Sequence, residues 1–316
     1  MSTAVQVGKE TTHGTIAGAF TSVPCNFDSK LRQQNKIWEE DRSGQDRNFS
    51  VTPGQRYQEW DVAETGFYHD TTGFFLASAL GLPTKTTVDT IFDNVFKMAD
   101  DPVSLSMKWQ QPRRYTQAYQ VLNAVVDKFA FAFSAEGDLT WSASGMALSE
   151  SEITQITHSF TAARPLPSWA GTILLNNVAF AKVVSGSVNI ERNRKPFFTI
   201  NNVQSPTSMS IGARTVGFEI VVDFSAKTEY DLFKAGNAQS TAHKGLNLSW
   251  VDTGVTIGTT SNPTLTINMG TIAFETGEID TGSDYPLVKL TGKALYDSTD
   301  ASLIMVTLRS SKDYVV

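Results

Sequence analysis

The residues that could carry catalytic or metal chemistry are few in this sequence, and they are scattered. The four histidines are His13, His69, His158 and His243, and none forms a closely spaced pair with another histidine or with a cysteine. A structural or catalytic zinc ion needs three or four convergent ligands, usually with two of them close in sequence. The spacing therefore predicts no metal site and no cofactor.

Motifs for covalent or phosphate chemistry are also missing from the sequence. The segment Gly8-Lys9-Glu10-Thr11 lacks the GxxxxGK[ST] spacing of a phosphate-binding loop, and neither GxSxG nor HExxH occurs. The acidic pairs Glu39-Glu40 and Asp100-Asp101 fall in predicted loops, where carboxylates are usually solvated rather than catalytic. We therefore expect that the protein is not an enzyme.

Composition excludes several other classes of function. The 316 residues carry a net charge of −6, which is unsuited to clamping nucleic acid by neutralising phosphates. The one cysteine, Cys25, excludes an intramolecular disulfide and is expected to be a small buried hydrophobic residue. No apolar run reaches the length of a membrane span and no signal peptide is recognisable, so we expect a soluble product made in a cytoplasm, without membrane insertion.

The clearest structural pattern is a hairpin at residues 129–148. Phe129, Phe131 and Phe133 alternate with alanines, which is strand periodicity with one apolar face. The turn residues 136–138 follow, and the alternation resumes at Leu139 and Trp141.

The hairpin and its neighbours recur in the second half of the chain, in the same order. The matched segments, first copy before second, are 60–62 and 218–220, Phe74-Phe75 and Leu232-Phe233, 105–109 and 246–250, 129–131 and 272–274, and 144–148 and 291–295. Conserved order favours an internal duplication over a chance likeness between β-rich segments.

The duplication predicts a mainly β fold of two tandem β-sandwich domains, residues 1–168 and 169–316. The boundary is placed in residues 149–169, which contain Pro165 and Pro167. Each domain is expected to contain one short α-helix, at residues 70–80 and 228–235, and the first domain also carries an N-terminal arm.

Each copy also contains a polar segment that is long for a loop. Residues 32–58 are interpreted as a hairpin arm packed on something, or equally as a solvated loop; residues 192–213 are the shorter counterpart. The basic clusters Arg113-Arg114 and 192–195 are interpreted either as contacts with an acidic partner or as turns exposed to water.

Four segments together resemble the tail tube proteins of long-tailed, non-contractile bacteriophages (siphophages), of the duplicated-domain type. They are GKETTHGT (8–15), DRSGQDR (41–47), EWDVAETGFYHDTTGFFLASALG (59–81) and FAFAFSAEGDLTWSASG (129–145). The likeness extends over nearly the whole chain, and its weight comes from order rather than from one diagnostic motif.

The resemblance implies a self-assembling structural protein of the virion tail. Sheets join edge to edge around a ring, rings stack into a hollow tube that conducts the viral DNA without specific binding, and a hairpin arm reaches the neighbouring ring. Two tube domains in one chain imply a homotrimeric, pseudo-hexameric ring; a false repeat would imply six chains. Other tail proteins at the tube ends are further partners, and assembly takes place in the bacterial host cytoplasm.

The resemblance also selects candidate residues for two surfaces. The candidates for the inter-ring or intersubunit arm are Trp38, Glu39, Arg42, Arg47, Phe49, Arg192, Arg194 and Lys195. The candidates for acidic positions that face the lumen are Glu136, Asp138, Glu275, Glu278 and Asp280, because an acidic wall repels DNA phosphates.

One alternative from a different class stays open at this point. A carbohydrate- or receptor-binding β-sandwich of a virion or cell surface would need an aromatic-lined pocket. The tryptophans that could line it are Trp38, Trp109, Trp141, Trp169 and Trp250, although most of them fall on predicted strands. A cell-wall hydrolase is a third class, for which the sequence offers no residues.

Overall fold

Antiparallel strand pairing accounts for most of the architecture. The computed structural model describes residues 5–39, 48–88, 90–110, 117–148, 150–180, 182–223, 244–280 and 286–315. The elements of the first half are β1 (Val5–Lys9), β2 (Thr21–Val23), β3 (Phe27–Gln33), β4 (Lys36–Glu39), β5 (Asn48–Thr52), β6 (Arg56–Gly66), α1 (Gly73–Ala79), β7 (Thr84–Val88), β8 (Ile91–Lys97), β9 (Leu105–Gln110), β10 (Ala118–Ser134), β11 (Thr140–Ala147) and β12 (Ser151–Ile153).

The second half begins with a short 3-10 helix at Ser168–Ala170. Its strands are β13 (Gly171–Leu175), β14 (Val178–Ala179), β15 (Val183–Glu191), β16 (Lys195–Phe197), β17 (Ser208–Ser210), β18 (Thr215–Asp223), β19 (Lys244–Val251), β20 (Thr264–Asp280), β21 (Leu287–Leu295) and β22 (Met305–Ser310). The predicted mainly β fold is confirmed.

Eight strands form one main sheet that crosses the middle of the chain. Their order is β3–β6–β11–β10–β15–β18–β21–β20, and all neighbours are antiparallel. The central pairing joins β10 to β15, with Phe131 opposite Val188. The two halves are therefore continuous in one sheet, and the boundary at residue 168 stays a prediction.

A second layer covers the apolar face of the main sheet. It contains β2–β1–β9–β10–β12 and β13–β19–β20–β22–β8–β7, with β14 paired to β13. The strands β10 and β20, each of 17 residues, belong to both layers because each passes through irregular pairing along its length. Such bulges bend a strand and let it change sheets.

One apolar core fills the space between the layers. Trp141 stacks on Phe129, with ring centroids 5.5 Å apart, and lies 4.8 Å from the ring of Phe75 in α1. Every residue of α1 is buried, as expected for a helix without a polar face. The short helix predicted at residues 70–80 is confirmed, but no side chain caps its first turn; the helix predicted at 228–235 lies outside the described residues.

The strand registers repeat between the halves. Gly145 lies opposite Trp60 where β11 pairs with β6, and Gly292 lies opposite Phe218 where β21 pairs with β18. A Cβ atom on either glycine would lie within 2.6 Å of the opposing aromatic ring. The same ring-over-glycine contact in both halves confirms two of the predicted matches, 60–62 with 218–220 and 144–148 with 291–295.

One predicted match is wrong by five residues. A bulge follows Val126 in β10 and Phe274 in β20. Val126 lies opposite Gly145, and Phe274 lies opposite Gly292, so the two bulges occupy equivalent places in the two halves. The structural equivalent of Phe129 is therefore Gly277, not Ile272. The sequence does not reveal this equivalence, because an alternating pattern permits several alignments and a bulge has no recognisable sequence pattern.

Two β-ribbons project from the same end of the main sheet. The pair β4–β5 follows β3, and the pair β16–β17 follows β15. The ribbons touch, because the Arg56 amide donates to the Gln204 carbonyl (3.0 Å) and the Gln204 side chain donates to the Gly54 carbonyl (2.9 Å). The hairpin predicted within residues 32–58 is confirmed as a backbone feature.

Arg192 lies in the interior rather than on an exposed turn. Its guanidinium donates hydrogen bonds to the carbonyls of Ala79 (2.6 Å) and Leu80 (2.9 Å) at the end of α1, and to that of Ala99 (2.8 Å) after β8. Burial, with a smaller contribution from Arg194, lowers the pKa of Arg192 to about 10. The expectation that this basic cluster is exposed is thus wrong for Arg192 and for Arg194, which is 5% exposed.

Replacing Gly145 by alanine should destabilise the fold by about 1–3 kcal/mol, because the new methyl group overlaps the Val125 carbonyl oxygen and the Trp60 ring. Gly18→Ala is the control, since no heavy atom would lie within 4 Å of that Cβ. Urea unfolding of both variants measures the difference. Equal stability of the two would contradict the close contact.

Replacing Arg192 by methionine should cost about 3 kcal/mol of unfolding free energy, because the carbonyls of Ala79, Leu80 and Ala99 lose the guanidinium as a donor, and of the three only Leu80 keeps another described donor, the Ala99 amide. Lys195→Met, which removes an exposed cation from the same segment, should leave stability within about 0.5 kcal/mol of wild type. Thermal unfolding of the two variants distinguishes an interior role from a surface role of Arg192.

Candidate functional surfaces

The titratable residues of the described part of the chain do not gather into a metal-binding cluster. The described residues contain no group of three or more His, Cys, Asp or Glu residues placed to hold a metal ion. Burial lowers the pKa of His69, and the ring of His158 stacks on Phe160 at 5.5 Å. No helix among the described residues is long and apolar enough to cross a membrane.

The uncovered face of the main sheet is polar. Burial alternates along β10 and β11, so that the phenylalanines point into the core while Ala130, Ala132, Ser142 and Ser144 lie on the opposite face. The same alternation in β15 and β18 places Ser187 and other small residues there. Small side chains thus occupy the central strands of this face, and a hollow of about 360 Å³ beside β3, β6 and β11 is lined by Ser144 and by charged residues.

The cations on the polar face are each paired with a carboxylate. The pairs are Lys30–Asp28 (3.6 Å), Arg32–Glu59 (2.7 Å), Lys128–Glu191 (3.1 Å), Lys289–Glu219 (2.9 Å) and Lys293–Glu275 (2.5 Å). Further carboxylates on this face come from Asp61, Asp223, Glu278 and Asp280. The face therefore has excess negative charge and few cations available to phosphates.

The acidic candidates fall in two places. Glu275, Glu278 and Asp280 are exposed on the polar face of β20, whereas Glu136 and Asp138 lie in the exposed turn between β10 and β11, at the end of the sheet opposite the ribbons. Sequence reasoning missed the other carboxylates of the face. The alternation of buried and exposed positions along the strands of both halves is the signal that identifies them.

In the described part of the chain, the main sheet is open at both borders. Among the described strands, β3 pairs only with β6, and residues 276–280 of β20 pair only with β21. Leu31 on the first border is 45% exposed and Ile279 on the second is 41% exposed. Open borders with exposed aliphatic side chains are templates for pairing with another chain.

The ribbons carry a second set of exposed apolar residues. Ile37 and Val51 project from the first ribbon, and Phe197, Ile200 and Val203 lie on or near the second. Such a patch at one end of the molecule suits contact with another protein surface.

The predicted arm residues lie in different environments in the structure. Lys195 is exposed on the second ribbon, whereas Arg192 and Arg194 are buried. Trp38, Glu39 and Phe49 lie in strands of the first ribbon by their backbone, and their side chains are outside the description. Arg42 and Arg47 lie outside the described residues.

Two of the candidate tryptophans line one groove, and two others lie apart from it. Trp109, Trp141 and Trp250 are buried in the core, whereas Trp169 is 71% exposed. Trp169 borders a groove of about 360 Å³ that is also lined by Trp250 and Phe180. Of these four described tryptophans, only Trp169 has an indole exposed enough to meet a ligand, so the alternative of a carbohydrate site rests on this groove.

Comparison with known proteins agrees with the architecture. A search of curated protein sequences finds no significant match. The model of a family described as phage tail tube protein matches residues 2–297, which is nearly the whole chain. The resemblance to phage tail tube proteins is thereby confirmed, and the chain belongs to the phage tail tube protein family.

Proposed function

We propose that the protein is the subunit of a siphophage tail tube, which self-assembles into stacked rings around a channel that conducts DNA into the host. The family supports a structural role in the virion tail. The observation that carries the proposal is the main sheet, which is open at both borders and polar on one face.

Ring formation follows from the open borders. Each exposed strand edge presents unpaired backbone donors and acceptors, which soluble monomers normally block. Pairing the β20 border of one chain with the β3 border of the next satisfies both, and a head-to-tail contact of this kind closes by rotation. The repeated registers of the two halves favour three chains in a ring.

The channel follows from the polar face. When the sheets join with their apolar faces covered by the second layer, the polar face lines the inside of the ring. Its excess carboxylates and its paired cations offer phosphates few attractive sites, so DNA slides without being retained. The described residues need no catalytic role in this function, and we propose none.

Stacking is assigned to the ribbons. They project from one end of the main sheet, where their apolar side chains can cover the next ring. Other tail proteins would occupy the same surfaces at the two ends of the tube. Assembly in the cytoplasm of the bacterial host requires no membrane insertion.

A substitution at the border tests ring formation. Wild-type protein should form hollow tubes in negative-stain micrographs, and Leu31→Asp should remain monomeric in sedimentation, because a buried carboxylate opposes pairing. The control is Val178→Asp, which places the same charge on the exposed strand β14. A wild-type chain that stays monomeric and binds a glycan array would favour the alternative carbohydrate-binding function.

Substitutions on the second ribbon test stacking separately. The double change Ile200→Asp with Val203→Asp should leave ring formation intact and abolish long tubes, because only the projecting surface is altered. Electron microscopy should then find single rings. Tubes of normal length would exclude these residues from the contact between rings.

A further inference from the structure

In the main sheet, the four strands of the first repeated unit end at β10, and the four strands of the second begin at β15. The pairing of β10 with β15 is therefore an internal junction between the two units. Phe129 lies opposite Ile190, Ala130 opposite Asn189 and Phe131 opposite Val188. The core-facing members are buried, with Ile190 at 1% and Phe131 at 0% exposure. This junction forms within one chain, so its register is fully described.

The outer borders can be placed in the same register. On β20, the shared bulge makes Gly277, Glu278 and Ile279 equivalent to residues 129, 130 and 131 of β10. On β3, Ser29 lies opposite Trp60 as Val188 lies opposite Phe218. Leu31 and Lys30 are therefore equivalent to Ile190 and Asn189.

The exposed side chains of the borders are the ones that such a junction would bury. Leu31 and Ile279 are 45% and 41% exposed, whereas their equivalents are buried. Gly277 has no side chain where Phe129 has a ring, which leaves room for the Leu31 side chain. On the polar face, Glu278 and Lys30 have opposite charges at facing positions.

The bulge provides a second correspondence. The Asp127 carbonyl accepts a hydrogen bond from the Arg192 amide (2.8 Å), and its carboxylate accepts one from the Arg194 amide (2.6 Å). The equivalent bulge residue on β20 is Glu275. Gln33 and Asn35, on β3 and just after it, correspond to the two arginines. Both have backbone amides that could donate to Glu275 in the same way.

We propose that β20 pairs with β3 of a second copy in the register of the internal junction. Glu278 then lies opposite Lys30, Gly277 opposite Leu31 and Ile279 opposite Ser29 of the second copy. This inference rests on the proposed ring and adds its residue-level contact.

One facing pair of this register is unfavourable when taken alone. Asp280 lies opposite Asp28 of the second copy, and like charges at facing positions are destabilising. Lys30 already lies 3.6 Å from Asp28, so its ammonium group screens the two carboxylates from each other. The second copy is the occupant because it extends the sheet already built across the chain and offers the complementary charge.

Disulfide trapping tests the register in the full chain. The double variant Lys30→Cys with Glu278→Cys should form covalent ladders that end at three chains on non-reducing gels. Ala130→Cys with Asn189→Cys tests the equivalent internal pair and calibrates the geometry of cross-linking. Cys25 should not interfere, because burial raises the pKa of its thiol to about 12.

An offset pair and a charge exchange make the outcome decisive. Lys30→Cys with Thr276→Cys keeps Asp280 and should cross-link at least tenfold more slowly, because diagonal positions are farther apart. Glu278→Lys should prevent tube formation, and adding Lys30→Glu should restore it. Tubes that cross-link faster through the offset pair would overturn the register but leave the tube function intact. Wild-type protein that never assembles would overturn both.

Discussion

The pairing of β10 with β15 is the contact on which the rest of the structure depends. It joins the hairpin of the first half to the first strand of the second half, and it makes one eight-strand sheet from two repeated sets of four. Without it, the two apolar faces would lie side by side with a solvated gap between Phe131 and Val188. With it, the core is continuous from α1 to β22.

The same pairing explains the position of a buried cation. Arg192 follows β15 directly, so strand pairing carries its side chain to the end of α1, where the guanidinium serves the last helical carbonyls and that of Ala99. An arginine suits this place because its planar guanidinium serves several acceptors at once. The two halves of the molecule are thus joined by backbone pairing and by polar contacts such as those of Arg192.

The sequence predicted those features that depend on local alternation. The hairpin around Phe131 and Trp141, the short helix and the correspondence of Trp60 with Phe218 follow from spacing alone. The interior position of Arg192 did not follow from spacing, because it depends on carbonyls more than ninety residues away in the sequence. The alignment of Ile272 failed because a bulge shifts the face of every later residue in β20.

Some charged residues of the polar face were recognised from the sequence, and others were seen only in the structure. Glu278 and Asp280 were found from their place in a repeated hairpin, whereas Glu219 and Asp223 were missed because alternation was not followed into β18. The paired state of Lys128 and Lys289 was beyond sequence reasoning, since each partner comes from a neighbouring strand that only the register identifies.

The internal junction has a kinetic consequence for a protein that assembles by its borders. A tether between two modules raises their effective concentration for each other to about the millimolar range, so the tethered junction forms without an encounter in solution. In the proposed ring, fusion of the two units would more than halve the number of diffusive encounters needed for closure. The covalent link would then act on the speed of nucleation as well as on the shape of the product.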